Sequence, residues 1–310
     1  MLRYIVRRLL QGIVVIFLIS FMTFGLMHLA PGDPIHLLTG QNNARLTPEQ
    51  LAGIRAHWGL DKPFHEQYLT WLSNALRGDF GTSLIRRGVP VTEMVNEAAV
   101  VTIKLNVISW LVALGIALPV GMIAALRRNS RFDYFTMLGA TFGVALPSFW
   151  VGLMLIVLFA SVVQILPSSG LTSWKSYVMP VFVLALDQAA VYARLMRSST
   201  LDVMTQDYVS VARAKGLAEF RIVLRHVARN ALLPIVTIIG LRFSFILSGT
   251  IIVEQVFGLP GLGRMFLDSV LRQDYQVVQA IVFLFAVVVV ISNLITDLAY
   301  AYIDPRIRID

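Results

Sequence analysis

With 57% hydrophobic and only 14% charged residues among 310, the chain falls well below the roughly 25% charge of soluble domains. It is therefore predicted to be an all-α integral membrane protein with a single membrane domain over residues 1–310. The absence of cysteine excludes disulfides and thiol nucleophiles, and the five scattered histidines indicate no metal site. The net charge of +8 is explained by charged loops that orient the chain in the membrane rather than by nucleic-acid binding.

The first hydrophobic run, residues 9–30, follows Arg3, Arg7 and Arg8. It exceeds the roughly 7–15-residue core of a signal peptide, which predicts an uncleaved transmembrane helix with a cytoplasmic N-terminus. Residues 31–98 then form a polar excursion, which we expect to be a large extracytoplasmic loop.

Short elements are predicted inside this excursion. Thr47 followed by Pro48 is typical of a helix start, and a second helix is expected over residues 67–76. Residues 78–83 indicate a turn, and residues 91–97 are expected to lie along the membrane surface.

Five further spans complete a predicted six-helix topology. They are expected over residues 100–126, 134–166, 178–196, 231–253 and 278–302. Pro147 is expected to break the third span, beside a cavity where neighbours satisfy the freed backbone groups. Because Lys and Arg concentrate in the loops assigned to the cytoplasm, both termini are predicted to lie there.

The segment 197–229 is a basic cytoplasmic loop between the fourth and fifth spans. From Leu217 onward, one apolar stripe recurs at helical spacing beside a basic stripe. The apolar stripe comprises Leu217, Phe220, Leu224 and Val227, and the basic one Arg221, Arg225 and Arg229. Ahead of them, Ala212, Ala214 and Gly216 leave the backbone accessible. The pattern fits a docking handle for a partner, or an amphipathic helix resting on anionic membrane lipid.

Two ionisable residues lie deep in the apolar runs, Asp187 in the fourth span and Arg242 in the fifth, at similar expected depth. Each would cost at least about 2.5 kcal/mol in lipid, so both should face protein or water. They form a structural ion pair, or they line a translocation path together with the break at Pro147, where Arg242 would help an anionic group such as a peptide carboxylate to pass.

The chain lacks the chemistry of an enzyme. No GxxxxGK[ST] phosphate cradle is present, so any ATP with its Mg²⁺ must be bound and hydrolysed by another chain, and no cofactor is expected in this one. A secondary transporter driven by an ion gradient remains an alternative, although only the third span carries a proline break. A lipid-surface scaffold without transport is the third possibility.

Several motifs in order are similar to those of ATP-binding-cassette (ABC) importer permeases, in particular the dipeptide and oligopeptide group, which also includes glutathione and nickel permeases. The resemblance is carried by Ala-Arg-Ala-Lys-Gly at 212–216, His226, Arg-Asn-Ala-Leu-Leu-Pro at 229–234, Pro-Gly-Asp-Pro at 31–34, Gly-Asp-Phe-Gly-Thr-Ser at 78–83, Ala-Leu-Pro-Ser-Phe at 145–149, Pro-Gly-Leu-Gly-Arg at 260–264 and Asp-Tyr at 274–275. The Glu-Ala-Ala of the broader importer signature is replaced here by Ser-Val-Ala at 210–212.

The resemblance implies that residues 207–224 form a coupling helix seated in a groove of an ATPase subunit. In that interpretation Ala212, Ala214 and Gly216 permit close approach, and Leu217 and Phe220 fill the groove. Arg213, Lys215 and Arg221 complete the docking set, with Arg213 and Lys215 meeting acidic partner residues.

The resemblance also implies the assembly and its location. Expected partners are a second homologous permease forming a heterodimer, two ATPase subunits and a periplasmic or lipid-anchored binding protein, all at the bacterial inner membrane. The substrates implied are di- or oligopeptides, with glutathione or nickel as alternatives. The loop 254–275 would reach toward the binding protein or cap the pore.

Overall fold

The computed structural model describes residues 2–29, 61–86 and 88–303, apart from 244–245 and 248–249, together with positions 47, 49 and 53. Within these residues the chain is helical, with no β-sheet and one isolated antiparallel bridge between Thr82 and Pro90. The predicted all-α class is thereby confirmed. The helix expected to begin at Thr47 lies largely outside the described residues.

Thirteen α-helices are present in the described part of the chain. They are α1 (Leu2–Leu29), α2 (Phe64–Leu76), α3 (Val91–Leu126), α4 (Arg131–Ala145), α5 (Ser148–Leu155), α6 (Val178–Met204), α7 (Asp207–Ala214), α8 (Glu219–Ile222), α9 (Ala228–Ala231), α10 (Leu233–Phe243), α11 (Ile251–Val256), α12 (Leu262–Leu271) and α13 (Tyr275–Ile303). A π-helical stretch, Ile156–Val162, extends α5, and another, Val223–Val227, joins α8 to α9.

Five helical stretches are long and apolar enough to cross a membrane, and α4 with α5 would make a sixth if the bent pair counts as one span. The chain bends by 100° between the two arms of this pair. Pro147 precedes α5 in an extended conformation and holds Leu146 outside the helical region (ψ 126°). The break expected at Pro147 is therefore present.

The second span starts earlier than predicted. Residues 91–97 do not lie along the membrane surface as expected, because they form the first turns of α3, directly after Pro90. Val91 and Val95 are buried against Val277 and Ile281 of α13. This tertiary contact makes the amphipathic pattern of 91–97 part of the core rather than an interfacial face.

The helical stretch that contains the fifth predicted span begins before residue 231. The stretch Glu219–Gly240 is long and apolar enough to cross a membrane, but its first turns, 219–227, fall within the basic loop predicted between the fourth and fifth spans. The predicted stretch 231–253 is interrupted between the end of α10 at Phe243 and the start of α11 at Ile251. Arg221, Arg225 and Arg229 are all exposed on one side of the early turns, while Ile222 and Val227 are buried. These three arginines are the basic stripe predicted from the sequence, and they lie on the exposed side of the helix.

The most extensive helix contact joins α3 to α6 through small residues. Ala113, Ala117 and Gly121 recur every four residues on α3 and are buried, as are Ala185 and Ala193 on α6. A Cβ at Gly121 would lie 2.5 Å from the Ala193 carbonyl oxygen. Such small side chains let two membrane helices approach closely and gain dispersion contacts, as lipid tails provide no hydrophobic drive.

The predicted loop 254–275 is largely helical and is organised around Glu254. This carboxylate is fully buried and accepts hydrogen bonds from the hydroxyls of Thr102 and Thr250, both at 2.7 Å. It also accepts from the backbone amides of Gly263 (2.8 Å) and Arg264 (3.1 Å). Glu254 thus satisfies amides at the start of α12 that have no partner inside the helix.

Asp274 forms a second buried link on the same side of the molecule. Its carboxylate accepts hydrogen bonds from the Ser83 hydroxyl and from the Leu84 amide, the latter at 3.1 Å. Gly78 and Gly81 have positive φ values of 82° and 74°, which confirms the predicted turn. Asp274 therefore fastens this turn region to the start of α13.

Replacing Gly121 with Leu should destabilise the protein by about 1–3 kcal/mol, because the side chain would wedge α3 away from α6. Membrane abundance and thermal unfolding in detergent measure the effect. Gly115→Leu is the matched control, since Gly115 is exposed on the same helix and a Cβ added there would meet no heavy atom within 4 Å. Equal stability of the two variants would contradict the close α3–α6 packing.

Glu254→Ala should reduce the thermal stability strongly, because the amides of Gly263 and Arg264 would lose their buried acceptor at about 1–3 kcal/mol each. Glu254→Gln should lose less. Its amide oxygen can face the two backbone N–H groups while the rotatable hydroxyls of Thr102 and Thr250 reorient. An alanine variant as stable as the glutamine variant would contradict this role.

Candidate functional site

The first candidate site, the coupling segment, comprises residues 205–227. The helix of the preceding span, α6, does not end at residue 196 but continues to Met204, so only Thr205 and Gln206 separate it from α7. The expected single coupling helix over 207–224 is in fact α7, a turn and α8. The segment is thus a helix–turn–helix attached directly to a membrane-spanning helix.

Gly216 forms the turn between α7 and α8. It has φ 75°, and its amide donates to the Arg213 carbonyl at 2.9 Å, while the Leu217 amide donates to the Ala212 carbonyl at 3.3 Å. These are the two bonds of a Schellman motif, which favours glycine at the left-handed position. A substituent at Gly216 would point into open space, so glycine is required here by backbone conformation rather than by crowding.

The inner face of the segment differs from the predicted stripe. Val209, Ala212, Ile222 and Val227 form a buried cluster, and Leu217 packs against it. Ala212 is only 7% exposed, so it is occupied by its own chain and does not offer a close approach to a partner. Leu217 is partly buried, so less of its surface is open to the expected groove than that of Phe220.

The outer face of the segment carries apolar side chains in the open. Phe220 is 75% exposed and Leu224 53%, and on α7 Tyr208 and Val211 are 43% and 53% exposed. The remaining residues of the predicted docking set, Ala214, Lys215 and Arg221, are also exposed. Of this set, Phe220 therefore has the large apolar surface that a groove would cover.

Arg213 forms an ion pair within the coupling segment. Its guanidinium donates to both carboxylate oxygens of Glu219, with distances of 2.7 Å and 3.2 Å, and bridges the turn from α7 to α8. These hydrogen bonds raise the pKa of Arg213 above its ordinary value. The expectation that Arg213 meets acidic residues of a partner thus competes with an acidic residue of its own chain. Sequence reasoning overlooks Glu219, although its position directly after the turn is visible.

The second candidate site is a cavity of about 620 Å³ between α3, α6, α10 and the bend after α4. It is lined by Asp187, Gln188, Arg242 and Pro147, so the structure brings together all three predicted path residues. Asn106 also lines it and donates from Nδ2 to the Ile246 carbonyl at 2.8 Å. Its polar lining comprises Asn106, Ser148, Asp187, Gln188 and Arg242, and the rest of the lining is apolar.

Asp187 and Arg242 lie together inside this cavity. The Arg242 Nη1 to Asp187 Oδ2 distance is 3.6 Å, and their side chains are 36% and 53% exposed, respectively. The sequence left open whether these residues form an ion pair or line a path. The geometry is compatible with both, because the ion pair is present and both of its members line the cavity. A pair this long and this open is a weak one.

A tighter ion pair, not predicted from the sequence, joins α4 to α6. Arg197 donates through Nε at 2.5 Å and through Nη2 at 2.7 Å to the two carboxylate oxygens of Asp133. Asp133 is 4% exposed and also accepts from the Asn129 amide. The sequence indicates Arg197 only as an orienting charge, whereas its bidentate contact fixes the arm leading to Pro147 against α6.

Comparison with known proteins gives consistent matches over nearly the whole chain. Residues 117–309 match the family described as "Binding-protein-dependent transport system inner membrane component", and residues 1–104 match the N-terminal family of such membrane components. The chain is 39% identical to the oligopeptide transport system permease protein AppB of Bacillus subtilis, over 98% of this chain and 99% of AppB.

It is also 40% identical to the glutathione transport system permease protein GsiC of Escherichia coli K12, over 99% of each chain. Among solved structures, one of the inward-facing MetNI methionine ABC transporter superposes with a TM-score of 0.58 at 17% identity, covering 68% of this chain and 96% of that one. The structural match supports the fold alone. The family matches and the two near full-length relatives show that this chain belongs to the binding-protein-dependent transport system inner membrane components, as an ABC importer permease of the oligopeptide and dipeptide group.

Proposed function

We propose that this chain is the membrane-spanning subunit of an ATP-driven importer that moves short peptides across the inner membrane by alternating access. The observation that carries the proposal is the similarity to AppB over nearly the full length of both chains. The similarity to GsiC favours glutathione as a second candidate. Glutathione is itself a tripeptide, so the two candidates share substrate chemistry.

The proposed assembly contains a second homologous permease, two ATPase subunits that bind ATP and Mg²⁺, and a periplasmic or lipid-anchored binding protein. Six spans with both termini in the cytoplasm, and the region 31–98 outside, form the proposed topology. The five helices of sufficient length and the bent pair α4–α5 are compatible with it. The basic coupling segment then lies on the ATPase side.

The coupling segment is the proposed contact with an ATPase subunit. Its exposed apolar residues Tyr208, Val211, Phe220 and Leu224 form a face that a groove could cover. Because α6 runs into α7 with only two intervening residues, a displacement of the segment pulls on α6 directly. Asp187 lies 17 residues before the end of α6, about 26 Å along the helix.

The cavity at Pro147, Asp187 and Arg242 is the proposed translocation path. The Asp133–Arg197 pair couples the arm α4 to α6, so a shift of α6 would reach the bend at Pro147. Two discrete arrangements of packed helices about such a bend would give alternating access. The movement would open the cavity to one side of the membrane at a time.

Reconstitution with the co-purifying ATPases and second permease tests this function. Vesicles should accumulate radiolabelled peptide only with ATP and the binding protein present. Accumulation by this chain alone, driven by an ion gradient, would instead support a secondary transporter. Failure to accumulate peptide or glutathione in the complete system, with ATPase activity intact, would contradict the proposal.

Phe220→Asp should abolish ATP-driven uptake while leaving the chain in the membrane, since a charge replaces the most exposed apolar side chain of the coupling segment. Phe220→Leu keeps an apolar contact and should retain most of the uptake. Uptake and membrane abundance are measured together for both. Undiminished transport by the aspartate variant would place the ATPase contact elsewhere and leave the lipid-surface role for this segment.

A further inference from the structure

One residue that lines the cavity carries a buried acceptor without a partner among the described residues. Gln188 is 7% exposed, lines the cavity, and its Oε1 accepts no hydrogen bond from any residue that the structure describes. A buried polar atom without a partner carries a free-energy cost that a bound donor would remove. Such an atom on a residue that lines a cavity is therefore a reason to look for a ligand whose N–H or O–H groups the side chain would turn to meet.

The charges beside Gln188 define which ligand can supply those donors. The Asp187 carboxylate can only accept hydrogen bonds, and the Arg242 guanidinium can only donate them. The two groups face each other at 3.6 Å, which is long for an ion pair. The buried Asp133–Arg197 pair, by contrast, is bidentate with both contacts at or below 2.7 Å. The cavity pair thus has weak mutual contact and room to separate around a guest.

Charge balance then selects the chemical class. A ligand with only an anionic group would pair with Arg242 and leave Asp187 without a counter-charge. A purely cationic ligand would pair with Asp187 and leave Arg242 without one. A zwitterion exchanges one ion pair for two and leaves no charge unpaired in a membrane environment, where an isolated charge is costly. The volume of about 620 Å³ lies within the roughly 300–1,000 Å³ typical of small-molecule sites.

Resting on the proposed peptide-import function, we propose that this cavity is a binding site for the zwitterionic termini of a short peptide. Asp187 accepts a hydrogen bond from the ammonium group, and the Gln188 side chain turns so that its Oε1, shielded in the empty cavity, accepts a second one. The Arg242 guanidinium binds the carboxylate. Trp110 and Ile252, which also line the cavity, provide apolar surface for the side chains. In the empty site Asp187 and Arg242 neutralise each other.

Binding of radiolabelled dialanine to the purified importer complex, without its binding protein, tests the site. N-acetyl-dialanine lacks the ammonium charge, and dialanine amide lacks the carboxylate. Each should compete roughly tenfold to a hundredfold less well than unlabelled dialanine, as expected for the loss of a charged hydrogen-bonding partner. Equal competition by all three, or no dialanine binding at millimolar concentration, would overturn the proposal.

Variants assign each contact. Arg242→Gln should remove the preference for dialanine over its amide, and Asp187→Asn the preference over the N-acetyl form. Gln188→Met should weaken dialanine binding several-fold while thermal stability stays the same or rises, because an orphan acceptor is replaced by an apolar group of similar length. Gln279→Met is the control, since Gln279 is also buried but lies on α13 and does not line the cavity.

Unchanged selectivity in the Arg242 and Asp187 variants, or unchanged affinity in Gln188→Met, would overturn the assignment. Uptake in reconstituted vesicles separates this inference from the proposed function. If ATP-driven peptide uptake occurs but the three probes bind equally, the site is wrong and the function stands. If the probes are distinguished but no uptake occurs, the function fails and the site stands.

Discussion

The close contact between α3 and α6 is the constraint on which the rest of the molecule depends. It exists because Gly121 and the alanines beside it leave the Ala193 backbone accessible. In a membrane, side chains larger than these would hold the two helices apart and exchange protein contacts for lipid contacts. The position of α6 follows from this contact. Asp187 and Gln188 lie within α6, and the C-terminal end of α6 leads into the coupling segment.

Two kinds of ion pair serve different purposes along α6. The Asp133–Arg197 pair is bidentate and its carboxylate is buried, so it acts as a fixed joint between α4 and α6. The Asp187–Arg242 pair is monodentate and open to the cavity, so its members are available to a ligand. On α11, the Glu254 carboxylate accepts hydrogen bonds from two hydroxyls and two backbone amides and holds the start of α12, which makes it a structural carboxylate.

Particular residues show why some features could be read from the sequence. Pro147 has no N–H and restricts Leu146, so the break in the third hydrophobic run follows from local covalent structure. Asp187 and Arg242 stand out because a charge within an apolar run needs a partner or water. The roles of Glu219 and Gln188 could not be predicted in this way. An acidic residue in a basic loop, such as Glu219, or an amide beside a carboxylate, such as Gln188, forms no distinctive pattern until its spatial neighbours are known.

The amino-acid sequence by itself determined the all-helical membrane class, the family, the basic segment between the fourth and fifth spans, and the two charges at matching depth. These depend on hydropathy, on charge and on local motifs, all of which are properties of neighbouring residues in the chain. Only the tertiary structure decided that Ala212 and Leu217 face inward, that residues 91–97 belong to α3, and that Glu254 caps α12. Which side of a short helix is buried depends on the element packed against it, and that element is distant in sequence.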